Sequence, residues 1–183
     1  LIVTVAQEGR DWFASAAAFH REDENLVDWT YASGSPSARQ ANAVYMEVNG
    51  LELLLRKQWQ RLDLSLGYTY LDKKPDYGTA IIDASFYALN YARDRATVSV
   101  SYQLNETYVL RLDNEYRTQL ANPLRTSDNN ALLTAASLDW TSPQFDEITA
   151  QLRIDNLTND DYQPYPGTPA VGRQISLNVR YNF

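Results

Sequence analysis

Cysteine is absent from this chain, and that absence removes a disulfide scaffold, a thiol nucleophile and any zinc site of the cysteine-cluster kind. Histidine is nearly absent: His20 stands alone. A Ser–His couple or a histidine-bound metal would have to be built around one imidazole, so a structural role is the simpler reading. Basic residues are the minority, 16 Lys and Arg against 23 Asp and Glu, for a formal charge of −7. A nucleic-acid partner needs a basic face to neutralise phosphates, so this balance argues against one. No run of about 18 apolar residues occurs, which rules out a membrane-spanning helix. A membrane-spanning sheet stays open, because its strands need only every second residue apolar. There is no initiator Met and no basic segment leading into an apolar one with a cleavage site. The chain opens inside what reads as a strand, and the expectation is a one-domain fragment of a longer protein.

What the chain does have is alternation. Ile175, Leu177, Val179, Tyr181 and Phe183 fall on one face of the last segment, with Ser176, Asn178, Arg180 and Asn182 on the other. A period of two puts successive side chains on opposite faces of a strand. The same pattern recurs in Leu62, Leu64, Leu66, Tyr68 and Tyr70; in Ala96, Val98, Val100 and Tyr102; in Tyr108, Leu110 and Leu112; and in Ile148, Ala150, Leu152 and Ile154. Leu51, Leu53 and Leu55, and Thr134, Ala136, Leu138 and Trp140, follow it less cleanly. Residues 1–8 and 12–20 are apolar enough for strands, but the small residues Ala14, Ala16, Ala17 and Ala18 leave their phase undecided and a helix open there. The count is about nine up-and-down strands.

The polar faces carry mostly Ser, Thr, Asn, Gln and Asp with an occasional Arg, which suits a hydrated lumen better than the Lys- and Glu-rich outside of a soluble sandwich. An ordinary antiparallel β-domain is the bland alternative. The links between strands tell against it, because they alternate short and long: 9–11 then 30–41, 58–61 then 71–93, 103–106 then 118–130, 141–146 then 156–172. Outer-membrane barrels have short periplasmic turns and long extracellular loops, so the rhythm puts the C-terminus in the periplasm. Tyr102, Tyr108, Trp140, Phe145, Tyr181 and Phe183 then fall near one level, a lower aromatic girdle. The fold expected is all-β, an antiparallel transmembrane β-barrel.

The long links hold Glu22, Asp23, Glu24, Asp72, Asp76, Asp83, Asp128, Asp160 and Asp161, best read as solvated acidic loops, with no EF-hand spacing among them. Aromatic residues in the same stretches, Trp29, Tyr31, Tyr77, Phe86, Tyr87, Tyr162 and Tyr165, are the ligand-contact candidates, with loop packing as the competing reading. Gly50 reads as a bulge or a close backbone approach, and Asn156-Leu157-Thr158 as the end of a strand rather than a glycan site.

Asn156-Leu157-Thr158-Asn159-Asp160-Asp161-Tyr162, followed by Gly172-Arg173 and the alternating strand to Phe183, resembles the C-terminal signature of TonB-dependent outer-membrane receptors. Residues 21–27 and Asn49-Gly50-Leu51-Glu52 are similar to upstream segments of that family, the layout being nearest the cobalamin and siderophore receptors. The resemblance implies that residues 1–183 are the C-terminal portion of a 22-stranded barrel whose N-terminal plug domain and TonB box are absent here. It implies uptake of a scarce metal chelate such as a siderophore, haem or cobalamin across the outer membrane of a Gram-negative bacterium, energised by TonB. It further implies outer-membrane lipid around the barrel and a barrel assembly machinery that reads the terminal strand, with Tyr181 and Phe183 as the signal. A resident cofactor, a metal site and catalytic residues are not expected. A small self-contained barrel acting as pore or adhesin is the alternative, and a barrel hydrolase the weakest class, since His20 has no visible companion.

Overall fold

The computed structural model describes residues 1–34, 39–145, 147–169 and 171–182. They form one ten-stranded sheet. Its strands are β1 (Ile2–Glu8), β2 (Trp12–Tyr31), β3 (Gln40–Gln58), β4 (Leu62–Asp76), β5 (Ala84–Ser85), β6 (Ala92–Gln103), β7 (Tyr108–Gln119), β8 (Asn130–Thr141), β9 (Ile148–Asp155) and β10 (Gln174–Tyr181). Nine pair antiparallel with their chain neighbours in the order β1-β2-β3-β4-β6-β7-β8-β9-β10, while β5, formed within the β4–β6 loop, pairs with the end of β2. Among the described residues β1 and β10 do not pair, so the sheet is open and the small self-contained barrel is not formed. Phe183 lies outside the described residues.

Residues 1–20 are strand, not helix. Ala14, Ala16 and Ala18 stand opposite Leu55, Leu53 and Leu51 on β3, so the small residues of one strand meet the large ones of the next. The register then carries one apolar face across the whole sheet. Leu66 pairs with Val98 and Leu64 with Val100; Val100 pairs with Leu112, and Leu110 with Leu138. Leu138 in turn pairs with Leu152, and Leu152 with Leu177. Val98, Leu110, Leu152, Leu177 and Val179 are all exposed, as a lipid-facing surface must be when no lipid is present. The opposite face is concave. One cavity of about 480 Å³ is lined by Phe13, Arg56, Asp63, Ser65, Ser99, Ser101, Arg111 and Asp113, which come from five successive strands of that face. Several charges on this concave face form ion pairs: Arg111 Nε with Asp139 at 2.6 Å, Arg95 with Glu115 at 2.6 Å, and Arg153 with Asp155 at 2.8 Å and Asp113 at 3.6 Å.

The register also tests the girdle. Tyr108 pairs directly with Trp140, Tyr102 with Leu110 and Tyr181 with Ile148, so Tyr102, Tyr108, Trp140 and Tyr181 share the end of the sheet that carries the short turns. Trp12 and Trp59 join them at the same rim, on the turns either side of β2 and β3. Phe145 lies in the β8–β9 link, also exposed.

Three expectations need correction. The link between β2 and β3 falls within the 30–41 expected, but the strands, of 20 and 19 residues, take in Glu22, Asp23, Glu24 and Trp29, all expected in loop, and β4 continues to Asp76, into the expected 71–93 link. About 9–11 residues cross a bilayer, so β2 and β3 stand roughly one membrane thickness above it. Gly50 is the close approach of the two readings and not the bulge: pairing runs through it unbroken on both sides, and the Phe19 ring occupies the space a Cβ would need. The true irregularity lies between Asp23 and Leu26, where an extra residue and Asn25 at φ 57° shift the register against β3. Before it the odd residues of β2 face inward; after it Asp28 and Thr30 do, and both are buried.

On β3 the apolar residues change face with height. Leu51, Leu53 and Leu55 face outward, but Val44, Met46 and Val48 face inward and form a buried core with Phe19, Leu71, Tyr77, Ala88 and Leu89. Inside the membrane zone the outside is the greasy solvent and the inside is wet. Above it water is outside and folded loop is inside, so the hydrophobic effect selects the other face.

Candidate functional site

The inward projection of Asp28 organises the upper sheet. Its carboxylate has no exposed surface and accepts hydrogen bonds from Tyr77 Oη at 2.7 Å, Ser85 Oγ at 2.6 Å, and the backbone amides of Tyr87 at 3.2 Å and Ala88 at 3.1 Å. Ser85 Oγ accepts in turn from the Leu89 amide at 2.9 Å. A buried carboxylate is stable only when its lone pairs are used, and here loop 77–91 supplies every donor. Burial first, and the bond to Asp28 second, push the Tyr77 phenol well above its ordinary pKa, so it stays a donor. The loop passes over Val44, Met46 and Val48 and reaches the far edge of β2, where the Phe86 amide donates to Trp29 O at 2.9 Å and the Asp83 amide to Tyr31 O at 2.9 Å.

Two further loops lock onto this one. Asn122 Nδ2 donates to Ser85 O at 2.7 Å, and Asn90 Nδ2 to Pro164 O at 2.9 Å. Gln163 Oε1 accepts from the Thr126 amide at 2.9 Å, while its Nε2 donates to Thr168 O at 2.8 Å. Loops 77–91, 120–129 and 156–173 are thereby one hydrogen-bonded cluster over the long-loop end of the concave face.

The 156–162 segment shows why its residue types are needed. Strand β9 ends at Asp155, leaving the upper edge of β8 unpaired. The loop replaces it: the Leu157 amide donates to Thr134 O at 2.7 Å, Thr158 Oγ1 donates to Leu132 O at 3.3 Å, and Asp160 Oδ2 accepts from the Leu132 amide at 3.0 Å. Asn156 and Asn159 take φ of 50° and 56°, a region asparagine tolerates best after glycine. Their side chains close the turn, Asn156 Nδ2 onto Asp160 O at 2.9 Å and Val171 O at 3.0 Å, Asn159 Oδ1 from the Arg173 amide at 2.9 Å.

The seven aromatic candidates separate by environment. Trp29 and Tyr31 belong to strand β2 rather than a loop; Trp29 is on the outward side and exposed. Tyr77 is half-buried on Asp28. Phe86 is buried beneath the Arg39 guanidinium, 4.2 Å from its ring centroid. Tyr162 is buried as well, its hydroxyl bonded by Arg117 Nη1 and by Gln119 Nε2 at 3.3 Å. Tyr87 and Tyr165 differ: each is 51% exposed, and their rings meet edge to face with centroids 6.0 Å apart at the junction of two loops. Sequence reading missed Asp28, Asn90, Asn122, Arg125 and Gln163. The one signal for them is their amide and charged character inside stretches with no alternation. His20 bonds Asn49 Oδ1 at 2.9 Å and Glu22 at 3.2 Å on the strand surface. Among the described residues no group of three or more His, Asp or Glu side chains is placed to hold a metal ion.

Residues 5–157 match the family model of TonB-dependent receptor-like β-barrels. Over 174 residues the chain is 28% identical to the vitamin B12 transporter BtuB of Vibrio cholerae serotype O1, covering 93% of this chain and 20% of that protein. It therefore spans about a fifth of the length of the curated relatives it matches. Among solved structures, the FrpB iron transporter of Neisseria meningitidis superposes with a TM-score of 0.74 at 17% identity, over 100% of this chain and 30% of that one. The ferric-catecholate import receptor Fiu of E. coli K12 superposes with a TM-score of 0.65 at 16% identity, over 95% and 26%. These likenesses establish the barrel fold, and with the family match running over most of the sequence, the chain belongs to the TonB-dependent receptor-like β-barrel family.

Proposed function

We propose that this chain is the C-terminal part of the barrel of a TonB-dependent transporter, in the outer membrane of a Gram-negative bacterium, that takes up a scarce metal chelate of the siderophore, haem or cobalamin kind. The observation that carries the reading is the sheet's division of labour. One register-matched apolar face suits lipid, and the opposite, ion-paired face is roofed by interlocked loops on the long-loop side. The transporters that this chain resembles point the same way, towards vitamin B12 and iron. On this reading the plug domain and TonB box belong to the remainder of the receptor, which closes the lumen and couples it to TonB. Tyr87 and Tyr165 make the first ligand contacts at the outer mouth; Trp29, Tyr31, Tyr77, Phe86 and Tyr162 serve the loop framework. The barrel assembly machinery reads the terminal strand through Tyr181 and Phe183.

The test is uptake by cells expressing the complete receptor, with radiolabelled ferric siderophores, haem and cyanocobalamin offered in turn. At least one chelate should accumulate, only when TonB is present, and at least tenfold less in a Tyr87→Ala/Tyr165→Ala double variant that reaches the surface normally. TonB-independent entry, or no accumulation of any class, would contradict the reading.

A further inference from the structure

The short-turn rim of the sheet divides by charge. Turns 104–107 and 142–147, under β6 to β9, carry Glu106, Asp146 and Glu147 and no Lys or Arg. Under β1 to β4 the sign reverses: Arg10, Lys57 and Arg61 stand against the single carboxylate of Asp11, in a chain whose total charge is −7. Glu8, Arg56 and Asp63, at the same height, belong to the concave face. The two turns on this side are built alike, the Gly9 amide donating to Trp12 O at 2.9 Å and the Trp59 amide to Leu62 O at 2.8 Å, and the Gln58 amide, on Asp11 O at 2.8 Å, ties one to the other. The outward rows run straight into them. Ala14, Ala16 and Ala18 are continued by Trp12, and Leu51, Leu53 and Leu55 by Lys57 and Trp59. The Trp12 indole covers Gly9 so closely that a Cβ there would strike it, and the Lys57 ammonium lies 5.6 Å from the centre of the Trp59 ring. Both indoles stay exposed. Lys57 pairs with Asp11, which uses one of its three donors. Arg10 and Arg61 are exposed, and their guanidiniums have no partner among the described residues. Arg10 stands on the lower lip of the cavity, whereas Arg61 does not border it.

Tryptophan settles at headgroup depth, so two exposed indoles on adjoining turns fix the height of the cations beside them as that of lipid phosphates. We propose that turns 9–11 and 58–61 form a binding site for an anionic phospholipid of the periplasmic leaflet, its phosphate on Arg61 and the free donors of Lys57, its acyl chains on the Ala14 and Leu55 side of the two indoles, with Arg10 adding positive charge from the neighbouring turn. This rests on the outer-membrane reading and adds to it the headgroup chemistry recognised and the place where it is held. The surface continues the lipid-facing one, and charge sets it apart. A zwitterionic headgroup brings as much positive charge as negative and gains little from an excess of cations, while an anionic one gains from all of them. Turns 104–107 and 142–147, with carboxylates only, repel the same lipid.

The complete receptor, purified in detergent, tests this by native mass spectrometry with phosphatidylglycerol and phosphatidylcholine of the same acyl chains. The wild type should hold its first bound lipid about fivefold more tightly when that lipid is phosphatidylglycerol. An Arg10→Gln/Arg61→Gln double variant should bring the ratio to within about twofold. Asp11→Asn covers the case in which the double variant fails to assemble. It relieves Lys57 of its counter-charge, so phosphatidylglycerol should bind about threefold tighter still, a gain that misfolding does not imitate. Equal retention of the two lipids by the wild type, a preference that survives in the double variant, or an Asp11→Asn variant that leaves the preference unchanged or lowers it, would overturn the inference and leave the outer-membrane reading standing. A complete receptor that does not fold into vesicles of either lipid would remove both.

Discussion

At the residue scale the upper half of this sheet depends on single polar groups whose bonds are all accounted for. Replacing Asp28 with Ala strands the Tyr77 and Ser85 hydroxyls and two amides in a buried site. Hydrogen bonds to a charged partner contribute about 1.5–3 kcal/mol each, so docking of loop 77–91 should weaken by at least about 3 kcal/mol. Native-state hydrogen exchange reads this directly: the Tyr87 and Ala88 amides should lose protection while those of β7 and β8 keep it. A milder device acts at Asp83, which accepts from the Ser33 hydroxyl and amide and is held by them below the ordinary carboxylate range. A depressed folded-state pKa contributes stability that is complete about a unit above the ordinary aspartate pKa of about 4 and is lost as the pH falls through the folded value. Protection of the Ser33 amide should therefore be flat from neutral pH to about pH 5 and fall in stronger acid. Unchanged protection in an Asp83→Asn variant would dismiss the clasp.

At the element scale the strands are legible where one solvent rule applies along their whole length. β4, β6, β7, β9 and β10 show their faces in plain alternation, as strands do when, on the proposed reading, lipid stands on one side and hydrated lumen on the other. β2 and β3 obscure theirs for two physical reasons. The irregularity at Asp23–Leu26 inserts a residue and exchanges inside for outside, so Asp28 cannot be placed by counting from Ala18. On β3 the greasy face itself changes, from Val44, Met46 and Val48 inside to Leu51, Leu53 and Leu55 outside. The switch of apolar residues from even to odd positions across Asn49-Gly50 is visible in the sequence, and read as a membrane boundary it would have shown the strand to be long. Pairing of β5 with β2 is beyond local reading, because it joins residues more than fifty positions apart. The faces predict substitution costs. Arg in place of Leu66 or Val98, near the middle of the apolar belt, should destabilise the bilayer-folded receptor by about 2–4 kcal/mol, against less than about 1 kcal/mol for Arg in place of Ser99. Urea titration of folding into lipid vesicles gives both numbers.

At the scale of the whole molecule the sheet is asymmetric in height. β2 and β3 form a tall wall, β9 and β10 a short one of eight residues each. The 156–173 loop makes up the difference by running along β8 and leaning onto the tall side. The candidate site was therefore only partly legible. Its aromatic members stand in the sequence, but which of them are framework and which are open depends on contacts between three loops far apart in the chain, and alternation carries no information on those. On the proposed reading the terminal strand bears on assembly rather than stability. Phe183→Asp should lower the surface level of the complete receptor several-fold while purified, refolded protein melts within a few degrees of wild type; normal surface levels would count against the signal. The central claim is the assignment of faces, and depth-resolved quenching by brominated lipids tests it most directly. Single tryptophans introduced at Leu66, Val98, Leu110 and Leu177 in a background without other outward tryptophans should be quenched strongly, and those at Ser65, Ser99, Arg111 and Asn178 hardly at all. Quenching of the second set and not the first, or of both sets equally, would contradict the account.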